Sequence, residues 1–196
     1  AFFDAKPYDI ESFDDANRDF GFKITYFKNR LTTETVSLTR GFEVVCVFVN
    51  DAVEKEVIDV LVRNGIRLIA VRAAGYNNLD LKALFQKIHT VRVPAYSPHA
   101  VAEHAVALML DLNRKIHRSY YRTRDNNFTL NGLLGFDMHG KTAGVIGTGK
   151  IGKVLIGILK GFGMRILAYD AFPDRDFEKT TGFEYTDLDT LYKNSD

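Results

Sequence analysis

The chain has a single cysteine, Cys46, among its 196 residues. One thiol builds no disulfide framework, so the sequence points to a reducing compartment, the cytoplasm. Charge bias is missing too: 26 Lys and Arg stand against 25 Asp and Glu, a net +1. That balance argues against a nucleic-acid partner. No stretch approaches the roughly 20 apolar residues of a membrane span, and the start lacks a basic-then-apolar signal segment. No membrane partner is expected, and the protein reads as soluble and intracellular. Internal repeats and low-complexity segments are absent. The 46% apolar content excludes wholesale disorder. There is also no initiator Met, so the chain is read as a fragment of a longer protein.

What is present centres on Lys141 to Asp170. Thr142 to Ile146 is small, apolar and partly β-branched, a buried-strand pattern. The turn Gly147-Thr148-Gly149-Lys150-Ile151-Gly152 follows with the spacing G-x-G-x-x-G, and a helical pattern continues through Val154, Leu155, Ile158 and Leu159. A second strand, Arg165 to Tyr169, ends on Asp170, 18 residues past Gly152. Each part suits a dinucleotide. Gly147 permits the tight turn, Gly149 lets a pyrophosphate approach backbone N–H groups, and Gly152 lets the helix pack closely on the sheet. An acid about 20 residues on accepts from a ribose 2′-hydroxyl. A bare glycine motif is weak, because glycines also mark ordinary turns; the order strand, turn, helix, strand, acid is what selects this reading. Gly144 to Lys150 and Gly147 to Lys153 each match most of a phosphate loop. That loop needs Ser or Thr after its Lys to hold magnesium. Ile151 and Val154 stand there instead, which disfavours a nucleotide hydrolase.

Upstream, apolar strands are expected at Phe2 to Ala5, Phe22 to Phe27, Val44 to Val49, Arg67 to Val71 and His89 to Val93. Helical stretches alternate with them at Asp9 to Asp19, near Glu34 to Leu38, at Val53 to Arg63 and at Leu79 to Lys87. Such alternation implies a parallel five-stranded, doubly wound unit. Asn50-Asp51 and Asn77-Asn78 look like turn and N-cap positions, and Gly65 follows Asn64 where a helix would stop. A second unit opens at Ser97-Pro98, a cap and first turn. Val101, Ala105, Leu108, Met109, Leu112 and Ile116 then predict one long helix buried along one side. Arg114, Lys115, Arg118, Arg122 and Arg124 read as a solvated face complementing the helix dipole, with a binding patch as the alternative. Arg122 to Gly140 reads as a loop.

These residues resemble the D-isomer-specific 2-hydroxyacid dehydrogenases over essentially the whole chain, most of all the fermentative D-lactate branch. The likeness is carried by Val47 to Asp51 (Val-Phe-Val-Asn-Asp), Arg72 to Asp80 (Arg-Ala-Ala-Gly-Tyr-Asn-Asn-Leu-Asp), Val93 to His104, Asn113 to Asp125 and, most specifically, Gly140 to Gly152. The resemblance implies an α/β protein of two doubly wound parallel-sheet domains with a cleft between them. The first, residues 1–97, is a flavodoxin-like substrate domain; the second, 98–196, is the first half of a Rossmann NAD-binding domain. It implies NADH-dependent reduction of pyruvate to D-lactate and association into a dimer or tetramer. An Arg that binds the carboxylate, a His that supplies the proton and a Glu beside that His all belong to later parts of such chains. No catalytic residue is therefore expected among residues 1–196.

Other roles follow only from family position. Backbone N–H groups of Ala74 and Gly75 would hold the substrate carboxylate, with a plain turn as the alternative. Tyr96 matches the family's cleft tyrosine, or else it simply packs. Gly147, Thr148, Gly149, Lys150, Ile151, Gly152 and Asp170 would bind NAD. His99, Glu103 and His104 share one helix but fit neither H-E-x-x-H nor H-x-x-E-H, so no metal is expected. Where relatives tend to carry Leu-Gly-Leu-Lys, this chain has Phe85-Gln86-Lys87-Ile88, which leaves the helix exit there without its glycine. Two further readings stay open: an NAD-binding regulator of the same fold, and a dehydrogenase of another D-2-hydroxy acid.

Overall fold

β-Branched and apolar residues set the first sheet. In the computed structural model, which describes residues 1–196, the strands β1 (Val44–Val47), β2 (Leu68–Val71) and β3 (His89–Arg92) pair in parallel in that order. Val47 lies opposite Val71, and Val71 opposite Arg92, so the three strands end along one edge. Helix α1 (Pro7–Asn17) and a 3-10 turn at Val36–Thr39 precede β1, and α2 (Lys55–Arg63) and α3 (Leu81–Leu84) lie between the strands. Phe3, Leu31, Val45, Ile58, Leu61 and Ile69 are fully buried between these layers. Each large apolar side chain so buried contributes roughly 1.5–3 kcal/mol.

The two expected N-terminal strands are reduced to bridges. Phe2 pairs in parallel with both Tyr26 and Cys46, giving the order Tyr26, Phe2, β1, β2, β3. That is the flavodoxin-like winding, but only three of its five members form regular ladders. The reason is local. Asp4 adopts φ 49, which turns the first segment out of extended conformation. The Phe22 N–H and carbonyl are taken by the Asn17 side chain rather than by a neighbouring strand.

Capping differs from expectation as well. Glu54 and Asp80 occupy the N-cap positions of α2 and α3, and only Asp80 caps with its side chain, accepting from the Ala83 N–H. Asp51 is buried and instead accepts from the N–H groups of Leu31 and Phe48, while Asn78 donates to the carbonyls of Phe48 and Asp51. These residues tie loops together across the sheet edge. Gly65 follows the end of α2 at φ 82, as its position predicts. α3 is a single turn, shorter than the expected Leu79 to Lys87, and Gln86 takes the left-handed conformation (φ 59) that a glycine would fill without strain.

Residues Ala1–Tyr96 and Ser97–Asp196 form two compact units. The second opens with α4 (Pro98–Arg114), whose Ser97 cap accepts from the Ala100 N–H. The expected single helix through Ile116 breaks at Lys115, at φ 52, and resumes as α5 (Ile116–Arg124). Asp111 caps the restart, accepting from the His117 backbone N–H and contacting its ring Nδ1 at 2.7 Å. The expected apolar stripe is therefore displaced: none of its six residues is buried, and the core-facing side runs through Ala102 and Val106 instead. Ala102 and Val106 are buried and Met109 packs on the core, but Val101, Leu108, Leu112 and Ile116 are exposed, Leu112 by 68%. Two of the five basic residues are engaged at short range: Lys115 donates to the Leu134 carbonyl and Arg122 to that of Asn131, so they brace the following loop.

The second sheet is β4 (Thr142–Ile146), β5 (Arg165–Tyr169) and β6 (Glu184–Tyr185), again parallel and in sequence order. Between and after the strands lie α6 (Lys150–Gly161), α7 (Arg175–Thr181) and α8 (Leu188–Asn194). Ile156 and Leu159 of α6 are buried against Val145, Ile166 and Ala168. No helix is long and apolar enough to cross a membrane.

Candidate active-site elements

Register places the candidate nucleotide residues together. Ile146 lies opposite Tyr169, so the residues that leave β4 and β5, Gly147 and Asp170, emerge side by side. Gly147 takes φ 90 and donates to the Tyr169 carbonyl at 2.8 Å. Gly149 is the N-cap of α6. No hydrogen bond within the chain uses the N–H of Gly149, Lys150 or Ile151, and a Cβ on Gly149 would meet nothing within 4 Å. Free donors at the start of a twelve-residue helix, beneath open space, suit a phosphate group.

Gly152 serves the turn more than the sheet. A Cβ there would lie 2.0 Å from the Gly147 carbonyl oxygen, whereas the nearest sheet atom, Val145 Cγ1, would be 3.9 Å away. Close packing is needed, but its partner is the first glycine.

Asp170 is bound to that turn. Its Oδ2 accepts from the Thr148 N–H at 2.6 Å and the Thr148 hydroxyl at 3.0 Å, and its Oδ1 accepts from the Phe172 N–H at 2.9 Å. These donors, the Phe172 N–H first, hold the Asp170 carboxyl below the usual carboxylate range. A carboxylate offers about four acceptor sites, so one on Oδ1 is left to take a ribose hydroxyl. Thr148, only 4% exposed, spends its N–H and hydroxyl on Asp170 and offers a ligand neither. Beyond Asp170, Arg175 is paired with Glu178 at 2.8 Å and lies over the Tyr185 ring. Lys153 is ion-paired with Asp174. The residues present thus fit a dinucleotide with a free ribose 2′-hydroxyl.

In the first unit, Ala74 and Gly75 lie just past β2, where the sheet ends. Their N–H groups have no hydrogen-bond partner in the chain, and a Cβ on Gly75 would meet nothing within 4 Å. The loop is fixed from both sides. Arg92 donates to the Ala74 carbonyl at 2.8 Å, and the Val93 N–H donates to that of Ala73. Arg72, which enters the loop, stacks over Phe2 and Phe48 at 4.2 and 5.1 Å and donates to the Phe3 carbonyl. Tyr96 lies four residues past the end of β3 and is 60% exposed. His99 and His104 are exposed on α4. No group of three or more His, Cys, Asp or Glu is placed to hold a metal ion.

A family model described as D-isomer specific 2-hydroxyacid dehydrogenase, catalytic domain, matches residues 1–190. The chain belongs to that family. It is 51% identical, over 197 residues, to the D-lactate dehydrogenase of Escherichia coli (strain K12), covering 100% of the chain and 60% of that protein. The apo-structure of D-lactate dehydrogenase from Escherichia coli is similar at a TM-score of 0.91 and 50% identity, over 100% of the chain and 62% of the other. A D-lactate dehydrogenase from Aquifex aeolicus, solved in complex with NAD and lactic acid, gives 0.82 at 30% identity, over 100% and 58%. The family member described here therefore spans about 60% of the length of the relatives it matches. Sequence reasoning missed the bracing partners: Arg92 on Ala74, and Tyr185, whose hydroxyl lies 2.6 Å from that of Thr148. Neither sits in a motif; both are long-range contacts.

Proposed function

We propose that the full-length protein is an NAD-dependent D-2-hydroxyacid dehydrogenase of the cytoplasm that reduces pyruvate to D-lactate. The observation that carries the cofactor is the turn at 147–152 with Asp170 beside it: free N–H groups at a helix start, and one remaining carboxylate acceptor. NADH, when bound, supplies the hydride. The chain's own part is to hold charge in place. Gly149, Lys150 and Ile151 offer N–H groups to the pyrophosphate, and Asp170 accepts from a ribose hydroxyl while repelling a 2′-phosphate. Ala74 and Gly75 offer N–H groups to the substrate carboxylate, and Tyr96 is assigned to the same cleft by its family position. The 2-keto acid is assigned as pyruvate because the relatives named above are D-lactate dehydrogenases.

Steady-state kinetics of the full-length protein test both parts. kcat/KM with NADH should exceed that with NADPH by at least tenfold, the scale of one uncompensated charge interaction; equal values refute the role of Asp170. Pyruvate should be turned over faster than 2-ketobutyrate and branched 2-keto acids, and faster turnover of branched acids reassigns the substrate. Binding of NADH with no turnover of any of them would favour an NAD-binding regulator. The exposed outer face of α4, with Leu108 and Leu112, and the neighbouring Ile116 at the start of α5 further support association into at least a dimer. Light scattering at micromolar concentration should give twice the monomer mass or more, and a monomer refutes it.

A further inference from the structure

The polar contacts behind Asp170 have a fixed direction. A carboxylate at neutral pH only accepts hydrogen bonds, so the Thr148 hydroxyl, 3.0 Å from Asp170 Oδ2, must give its one proton to Asp170. That leaves the Thr148 oxygen as acceptor toward Tyr185, whose hydroxyl lies 2.6 Å away and must therefore donate. The Tyr185 oxygen in turn accepts from the Asp174 N–H at 3.2 Å. The run Asp174 N–H, Tyr185 O–H, Thr148 O–H, Asp170 Oδ2 is one aligned series ending on the carboxylate that faces the nucleotide.

Tyr185 is itself firmly seated. Its N–H donates to Glu178 Oε1 at 2.9 Å, its ring packs edge-on to Phe183 at 5.0 Å, and Arg175 lies over its face at 5.2 Å. Asp174 is anchored by Lys153 and caps α7 through the Phe177 N–H. Every group behind the series thus has a second attachment, so the hydroxyl pair is aimed rather than free to rotate.

We propose that the Tyr185 hydroxyl, acting through Thr148, is a positioning group for cofactor selection: it fixes the Asp170 carboxylate with one open acceptor site toward the ribose. The proposal rests on the NAD reading above. Tyr185 does not touch the cofactor. Its effect is on where the negative charge of Asp170 stands, and hence on discrimination between a 2′-hydroxyl and a 2′-phosphate.

The test uses the full-length protein and titrates NADH and NADPH into wild type, Tyr185→Phe, Thr148→Val, Thr148→Ser and the Phe/Val double variant. Tyr185→Phe keeps the ring and removes only the hydroxyl. It should weaken NADH binding by up to about tenfold, the upper scale of one neutral hydrogen bond, and narrow the NADH/NADPH ratio, with KM for the 2-keto acid unchanged. Thr148→Val should do the same, Thr148→Ser should restore wild-type behaviour, and the double variant should be no worse than the weaker single one, since both break one series. The acid limb of NADH binding should move to higher pH in Thr148→Val, because Asp170 loses the Thr148 hydroxyl as a donor to its charge. Wild-type affinity and selectivity in both single variants, or losses that multiply in the double variant, overturn the proposal while leaving the NAD reading intact. A wild-type protein that binds no NADH overturns the NAD reading and the proposal together.

Discussion

Adding one methyl at Gly152 strains the nucleotide turn directly. In Gly152→Ala the new Cβ would stand 2.0 Å from the Gly147 carbonyl oxygen and 3.0 Å from its carbon, where real Cβ contacts essentially never fall below 3.0 Å. The turn and the start of α6 must part by about 1 Å. Both atoms belong to backbone, and the Gly147 N–H is tied to the Tyr169 carbonyl, so no rotamer change absorbs the clash. Forced backbone shifts of this kind cost about 1–3 kcal/mol. A loss of that size should lower the melting temperature by at least about 2 °C, and a 1 Å displacement of the N–H donors should weaken NADH binding by at least about tenfold. Gly157→Ala is the control: it lies in the same helix and its Cβ meets nothing within 4 Å. There the change should raise helix stability by about 0.5–1 kcal/mol. Thermal melts and NADH titrations of the two full-length variants decide the matter. If Gly152→Ala melts and binds like wild type, the contact with Gly147 is not what this glycine serves.

Gln86→Gly should stabilise the protein by about 0.5–1 kcal/mol, because relief of the left-handed strain exceeds the entropy a glycine adds; a lower urea midpoint refutes this. Asp51→Ala leaves the N–H groups of Leu31 and Phe48 without their acceptor inside the core, at a cost of about 2–4 kcal/mol, read from the same midpoint; a loss below 1 kcal/mol would show that the N–H groups find other partners. Burial pushes the Cys46 thiol up to about 11 from 9.0, so alkylation of folded protein at pH 8 should run about a hundredfold slower than in denaturant. Equal rates would show that the thiol is not held in its buried setting.

The second unit was the more legible. Thr142–Ile146 and Arg165–Tyr169 are strands with the bounds expected of them, because short apolar runs closed by a glycine turn or an acid leave little freedom. The N-terminal segments misled for the opposite reason: Phe2 to Ala5 has strand composition, yet Asp4 turns the backbone at its centre. Asp51 and Asn78 look like caps in sequence, but what decides their role is which distant carbonyl or N–H reaches them. Helical spacing placed Leu108 and Leu112 with Met109, and periodicity alone does not say where a stripe stops being covered. Thr148 fell within the motif, whereas Tyr185, 37 residues away, carries no local mark and becomes visible only when the strands are in register.

Asp170 grips the turn that precedes α6, and this changes when the turn becomes ordered. Fixing the backbone of one residue costs roughly 1–2 kcal/mol in conformational entropy. Because the Thr148 N–H is already bound to the carboxylate that ends β5, that cost is met as the strands fold rather than when a nucleotide arrives. The Thr148 amide should then exchange its proton slowly in ligand-free protein, at the pace of whole-unit opening. Exchange at the rate of an unpinned loop would refute this order of events.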